Sequence, residues 1–177
     1  MNDTTETAAD ATAGTGAGTA AETGRARRVR TRAERRSDTL ERLGTERDLW
    51  LATSHPEHGP HLLPLWFRWD GTAVWACTRA DSPTVRNARA EPRVRLSLPH
   101  SYDVVLMEGE AACFGPEEAG AVPEEGADAY AALFGWDPRR AAAPYTYLRI
   151  APRTVRAWHG EPELRGRLLM RDGLWLD

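Results

Sequence analysis

Residues 61–79 read HLLPLWFRWDGTAVWACTR. Two apolar runs flank the pair Asp70-Gly71. An Asp-Gly pair in that position predicts a β-hairpin, because both central residues tolerate positive φ. HLLPLWFRW (61–69) is then one strand and TAVWACTR (72–79) its return. The chain changes character in ADSPTVRNARAEP (80–92). Ser82 suits a helix N-cap, Pro83 suits the first helical position, and Pro92 ends what they begin. A short helix from Pro83 to about Ala90 is predicted.

Working outward, DLWLATS (48–54) reads as the strand before this hairpin and RVRLSL (93–98) as the strand after the helix, with Val94, Leu96 and Leu98 on one face. DVVLMEGEAACF (103–114) starts with a continuous apolar run, as a central strand does. Residues 115–126 are rich in Pro, Glu and Gly and read as a loop. ADAYAALFGW (127–136) is a short amphipathic helix closed by Gly135. YTYLRIAP (145–152) alternates, TVRAWHG (154–160) continues it after a proline-marked bend, and GRLLMRDGLWLD (166–177) carries a second Asp-Gly turn. Six or so strands with two short helices predict a mostly β fold, a small antiparallel barrel.

The N-terminal part differs. Residues 1–24 hold Thr, Ala, Gly and Glu and almost nothing large, so a disordered tail is expected. RARRVRTRAERRSDTLERLG (25–44) reads as a short helix with Leu40 and Leu43 packed inward and Gly44 at its end. The organisation expected is therefore a tail and Arg-rich helix over 1–44, and one barrel domain over 45–177. The Arg cluster invites a nucleic-acid reading. No aromatic residue is interleaved with it, which favours a solvated face.

Composition narrows the chemistry. The 177 residues carry a net charge of −3, which gives no general reason to expect nucleic acid. All 23 basic residues are Arg. That removes Schiff-base catalysis and a lysine phosphate clamp. The two cysteines, Cys77 and Cys113, form no CxxC and no disulfide framework, so a reducing cytoplasm is the expectation. No apolar run approaches the length of a membrane span, and the N-terminus shows no signal-peptide stretch.

Two local patterns suggest binding. In CTRADSPTVRN (77–87) a strand ends at Thr78-Arg79 and a helix begins with Ser82 and Thr84 in its first turn. Free backbone N–H groups, hydroxyls and a guanidinium at a helix start are the make-up of a phosphate site. An ordinary N-cap beside a surface Arg has the same sequence. In SHPEHGPH (54–61), His55, His58 and His61 stand three apart, but Pro56, Gly59 and Pro60 exclude a helix that would align them. The stretch reads as a turn, with His55 and His58 solvated, His61 entering the next strand, and no metal expected.

The segments WLATS…GPHLLPLWFRWDGTAVWACTRADSPTVRNARAEPRVRL, followed by DVVLMEG, FGWDP, YLRIAPRTVRAWHG and ELRGRLLMRDGLWL, resemble the flavin- and deazaflavin-binding split-barrel family that contains pyridoxamine 5′-phosphate oxidase. The resemblance covers about residues 46–177. It implies a six-stranded antiparallel split β-barrel of the FMN-binding type, and a homodimer with FMN or the deazaflavin F420 between the subunits. It also implies hydride transfer to or from a small organic substrate, for which the cofactor supplies the reactivity. Leu65, Trp66, Phe67 and Arg68 match the strand that lies along the ring. Thr78, Arg79, Ser82 and Thr84 match the phosphate end, and Asn87 the helix position beside it. The chain departs from many relatives at Thr84, where they carry a basic residue. GRLLMRDGLWLD does not match the Arg- and Trp-containing segment by which the vitamin B6 enzymes hold substrate, so oxidation of pyridoxamine 5′-phosphate is not expected. Other readings are a non-catalytic cofactor carrier, and a haem-binding barrel with His61, His100 or His159 as ligand.

Overall fold

The computed structural model describes residues 28–116, 118 and 121–177. The sequence-defining hairpin is present as β2 (Gly59–Trp69) and β3 (Val74–Arg79), joined in register with Trp69 opposite Val74. Its turn differs from the one expected. Gly71 has φ 96°, but Asp70 does not join it at positive φ. The loop spans residues 70–73 and closes with Asp70 N–H donating to the Ala73 carbonyl at 3.1 Å. The Asp70 carboxylate accepts from the N–H groups of Thr72 and Ala73, both at 2.7 Å, and from Trp75 Nε1 at 2.6 Å. Burial works against that charge, but these donors outweigh it and hold the carboxyl below its usual range. The second Asp-Gly pair takes positive φ at both residues, 52° at Asp172 and 80° at Gly173.

Around the hairpin lie β1 (Asp48–His55), β4 (Arg93–Ser97), β5 (Asp103–Phe114) and β6 (Tyr145–His159). The order is β3-β2-β1-β4-β5-β6, and β6 pairs back onto β3, closing a six-stranded antiparallel split barrel. The terminal hairpin β7 (Leu168–Arg171) and β8 (Leu174–Trp175) extends the sheet beyond β6. The proline-marked bend lies within β6 and does not end it. Its register with β5 shifts between Glu108 and Gly109. Glycine is required there, since a Cβ on Gly109 would lie 2.4 Å from the Ala151 carbonyl oxygen.

The barrel interior is filled from alternate strand positions, among them Leu49, Leu51, Phe67, Val94, Met107 and Leu148. Three helices cover it: α1 (Arg32–Thr45), α2 (Pro83–Ala90) and α3 (Glu124–Phe134). α2 has the expected bounds, with Ser82 Oγ accepting from Val85 N–H at 3.3 Å. α3 starts earlier than expected and ends on Gly135, whose φ is 63°. It packs on the outer face of β3 and β6, where Trp75, Cys77, Tyr130 and Tyr147 form a second apolar cluster.

α1 is fixed by a Thr31–Glu34 capping box, and it runs through Gly44 to Thr45. Leu43 is buried as expected, but Leu40 is only half-buried; Arg35 and Thr39 take the inward positions. The Arg-rich stretch is partly tied down. Arg30 binds Glu163 at 2.8 Å, Asp38 at 2.8 Å and Asp103 at 3.0 Å. The expected tail over 1–24 lies outside the described residues.

Candidate functional site

Side chains alternate across a strand, and this divides the four consecutive residues of the expected ring-binding strand. Phe67 is wholly enclosed in the barrel core, and its side chain meets no outer surface. Leu65 packs against the same core. Trp66 faces outward and is 52% exposed. Arg68, two residues on, shares the outer face and is half-buried.

Beside Trp66 is a cavity of about 580 Å³, within the range of small-molecule sites. β1 and β2 contribute Asp48, Leu65 and Trp66, β3 contributes Cys77, and α3 contributes Tyr130 and Phe134; Trp136 and Tyr145 complete its aromatic wall. The rings of Trp66 and Phe134 are parallel, with centroids 5.2 Å apart and planes 7° apart. Tyr130 tilts against Phe134 at 4.6 Å, and Trp136 meets Tyr145 edge-on at 4.9 Å. Burial pushes the Cys77 thiol up to about 12 and raises the Tyr130 phenol. Both groups are therefore neutral at physiological pH. Cys77 packs as a small apolar side chain in the cluster with Trp75, Tyr130 and Tyr147. Asp48 is the one carboxylate among the lining residues. Such a space fits a flat, uncharged aromatic system.

The strand that supplies Cys77 leads directly to the expected anion-binding turn. Arg79 lies opposite Tyr145 in the β3–β6 ladder. Directly opposed residues share a face, so Arg79 stands beside Tyr145, at the edge of the cavity, without itself lining it. Its guanidinium is held by the Asp81 carboxylate at 3.0 and 3.1 Å. Thr78 is half-buried. Ser82 caps α2, so its hydroxyl is already engaged with a backbone N–H.

Thr84 and Asn87 lie on the inward face of α2, with Val85 and Ala88. Thr84 is completely buried, and its Oγ1 has no partner. Asn87 Nδ2 donates to Thr53 Oγ1 at 3.2 Å, while its Oδ1 has no partner. Leu65 and Trp66 are thus at the cavity, and Arg79 is at its rim. Thr78 and Ser82 are at the neighbouring turn, and Phe67, Thr84 and Asn87 point into the protein. Sequence reasoning missed Tyr130, Phe134 and Asp48. The helix carrying Tyr130 and Phe134 was legible, but its docking against a strand some 65 positions earlier leaves no local signal.

The remaining candidates fall elsewhere. His61, His100 and His159 do not line the cavity. His100 accepts from the N–H groups of Tyr102 and Asp103, and His159 packs edge-on against Tyr102 at 4.4 Å. Asp103 pairs with Arg30 and Arg42, and Glu108 with Arg156 and Arg95.

The sequence model of the family described as pyridoxamine 5′-phosphate oxidase matches residues 36–159. No curated protein matches the sequence. Among solved structures, an F420 reductase superposes with a TM-score of 0.51 at 21% identity, covering 65% of this chain and 93% of its own. A pyridoxamine 5′-phosphate oxidase-related, FMN-binding protein from Nostoc punctiforme gives 0.51 at 20%, covering 73% and 83%. The heme storage protein from Vibrio cholerae gives 0.55 at 13%, covering 70% and 95%. At these identities the structural likeness carries the fold.

Proposed function

We propose that this chain, which belongs to the pyridoxamine 5′-phosphate oxidase family, is an oxidoreductase. In this reading it holds FMN or F420 in the Trp66–Phe134 cavity at the interface of a homodimer, and passes a hydride to or from a small organic substrate. The observation that carries the reading is the continuity of an aromatic cavity with Arg79 at its rim. A ring system bearing an anionic tail has that shape and charge distribution. Leu65, Trp66, Tyr130 and Phe134 would hold the ring; Arg79, with the start of α2, would receive the phosphate. The bound ring supplies hydride chemistry. The chain's own groups supply position and a wall from which water is excluded. Tyr130 and Cys77 stay protonated there and carry no charge to the ring.

The outer face of the β1–β2 hairpin supports the dimer. Trp50 lies opposite Pro64, Ala52 opposite Leu62, and Asp48 opposite Trp66. Trp50, Leu62 and Trp66 are all exposed large hydrophobics, and a continuous patch of that kind marks an association surface. Among the described residues no helix is long and apolar enough to cross a membrane.

Titration of the purified chain with FMN and with F420, followed by absorbance and fluorescence quenching, tests the proposal. Saturable binding of one cofactor per chain, with oxidation of its reduced form by an enone or quinone acceptor, is the expected result. Binding without turnover assigns a carrier role. Failure of both cofactors to bind removes the reading altogether.

A further inference from the structure

Of the three histidines in SHPEHGPH, two come together. β1 ends at His55, β2 begins at Gly59, and these residues are opposite each other in the ladder. Gly59, at φ 74°, lets the chain reverse within the intervening three residues. The reversal stacks the His55 and His58 rings, with centroids 4.5 Å apart and planes 20° apart. The Glu57 carboxylate joins them: one ligand atom from each of His55, Glu57 and His58 lies within 4.8 Å of the others. His61 is opposite Thr53, further into the hairpin and outside the group.

We propose that this turn is a binding site for one divalent transition-metal ion, held by His55, Glu57 and His58 with water completing the coordination shell. Two imidazoles and one carboxylate suit zinc, nickel, copper or ferrous iron, and they disfavour calcium and magnesium, which take oxygen ligands. A Zn–N bond of about 2.0–2.1 Å puts two ligand atoms on one ion roughly 3.3 Å apart. The side chains must therefore close by roughly 1.5 Å at most. Glu57 and His58 are exposed and His55 is half-buried, so rotation about their side-chain bonds disturbs no core packing. His55 Nδ1 now accepts the Glu57 N–H at 3.1 Å. Coordination through that nitrogen gives up one neutral backbone hydrogen bond. Glu57 is exposed, so its carboxylate can turn towards the ion. The turn is seven residues along β2 from Trp66, about 23 Å at about 3.3 Å per residue. It is a site separate from the aromatic cavity.

The test uses the full untagged chain, titrated with Zn²⁺ by calorimetry and with Co²⁺ by visible absorption. One ion per chain is expected, with affinity that falls on acidification because imidazole ligands must be neutral. His55→Asn and His58→Asn should each weaken binding by more than roughly tenfold, the loss that even outer-shell changes cause. Glu57→Gln should weaken it less, and His61→Asn should leave it unchanged. Thermal unfolding without metal, unaltered in all four variants, confirms that they fold. Substoichiometric binding, or affinity that survives both His55→Asn and His58→Asn, means an adventitious ion only and overturns the proposal.

Discussion

Two bidentate arginine–carboxylate pairs with the same chemistry do opposite things in this molecule. Arg30 and Glu163 join the segment before α1 to the turn after β6, with contacts of 2.8–3.1 Å. Their side chains are 15% and 4% exposed. Glu163 also accepts the backbone N–H groups of Arg30 and His159, each at 2.8 Å. Arg79 and Asp81 meet at 3.0 and 3.1 Å, but on the surface, with side chains 55% and 71% exposed. The buried pair has traded water for fixed donors and is costly to break. The exposed pair is screened and worth little, so a ligand can take it apart. One arginine is structural, and the other is free to serve the cavity at whose rim it stands.

Of the two pairs, the buried one should give the larger effect when its carboxylate is removed. Glu163→Gln takes the most buried of three carboxylates from Arg30 and leaves Asp38 and Asp103; losing the charge-assisted bonds costs about 2 kcal/mol and lowers Tm by roughly 4–8 °C. Asp81→Asn should shift Tm hardly at all, and equal shifts in the two variants would erase the contrast. The same comparison predicts a pH dependence. Burial alone would raise the Glu163 carboxyl, but Arg30 and the backbone donors outweigh it and hold it at about 2. A carboxyl lowered on folding stabilises the native state above its unfolded value and loses that contribution as pH falls towards the folded one. Wild-type Tm should therefore decline between about pH 4.5 and 2. The Gln variant should lack that part of the decline.

Trp66 sharpens the functional side of the contrast. Its indole is outside the barrel, stacked on Phe134, so removing it opens no hole in the core. Trp66→Ala is expected to weaken cofactor binding by about 1–2 kcal/mol, roughly five- to thirtyfold in Kd, with Tm little changed. Fluorescence titration measures this, and unchanged affinity would move the ring away from Trp66. Phe67→Ala, one position along, should instead destabilise the fold by about 3–5 kcal/mol.

That pair of neighbours marks how far the sequence could be read. The hairpin, α2 and the strand at 103–114 were legible because local signals fixed them: an Asp-Gly pair, a Ser-Pro cap and a continuous apolar run. Matching residues 65–68 to the strand along the ring did not say which of them face outward. A strand sends neighbours to opposite faces, and which face is outside depends on how the barrel closes. Thr84 illustrates the same limit on a helix. Its place in the first turn suggested an anion ligand, yet the 3.6-residue period turns it inward with Asn87. Leu40 gave way to Arg35 and Thr39 in α1, which share the face of Leu43 at a four-residue spacing. The stacking of His55 on His58 depends on where β1 and β2 end, which no spacing rule reports.

The smallest effect expected is also the most discriminating. With Arg79 neutralised by Asp81, a phosphate arriving at the start of α2 meets a guanidinium already engaged and a carboxylate of its own sign. Asp81→Asn frees the one and removes the other, so FMN binding should tighten by roughly two- to fivefold. Arg79→Ala should weaken it by a similar factor. Riboflavin, which has the same ring and no phosphate, should respond to neither substitution. If riboflavin and FMN shift together, Arg79 acts on the ring or on the shape of the cavity, and the anion end of the ligand is elsewhere. If FMN alone shifts, with opposite signs in the two variants, the exposed ion pair is a placeholder for the ligand's phosphate. Its weakness is then what allows it to serve, as the burial of Arg30 with Glu163 is what prevents that pair from doing so.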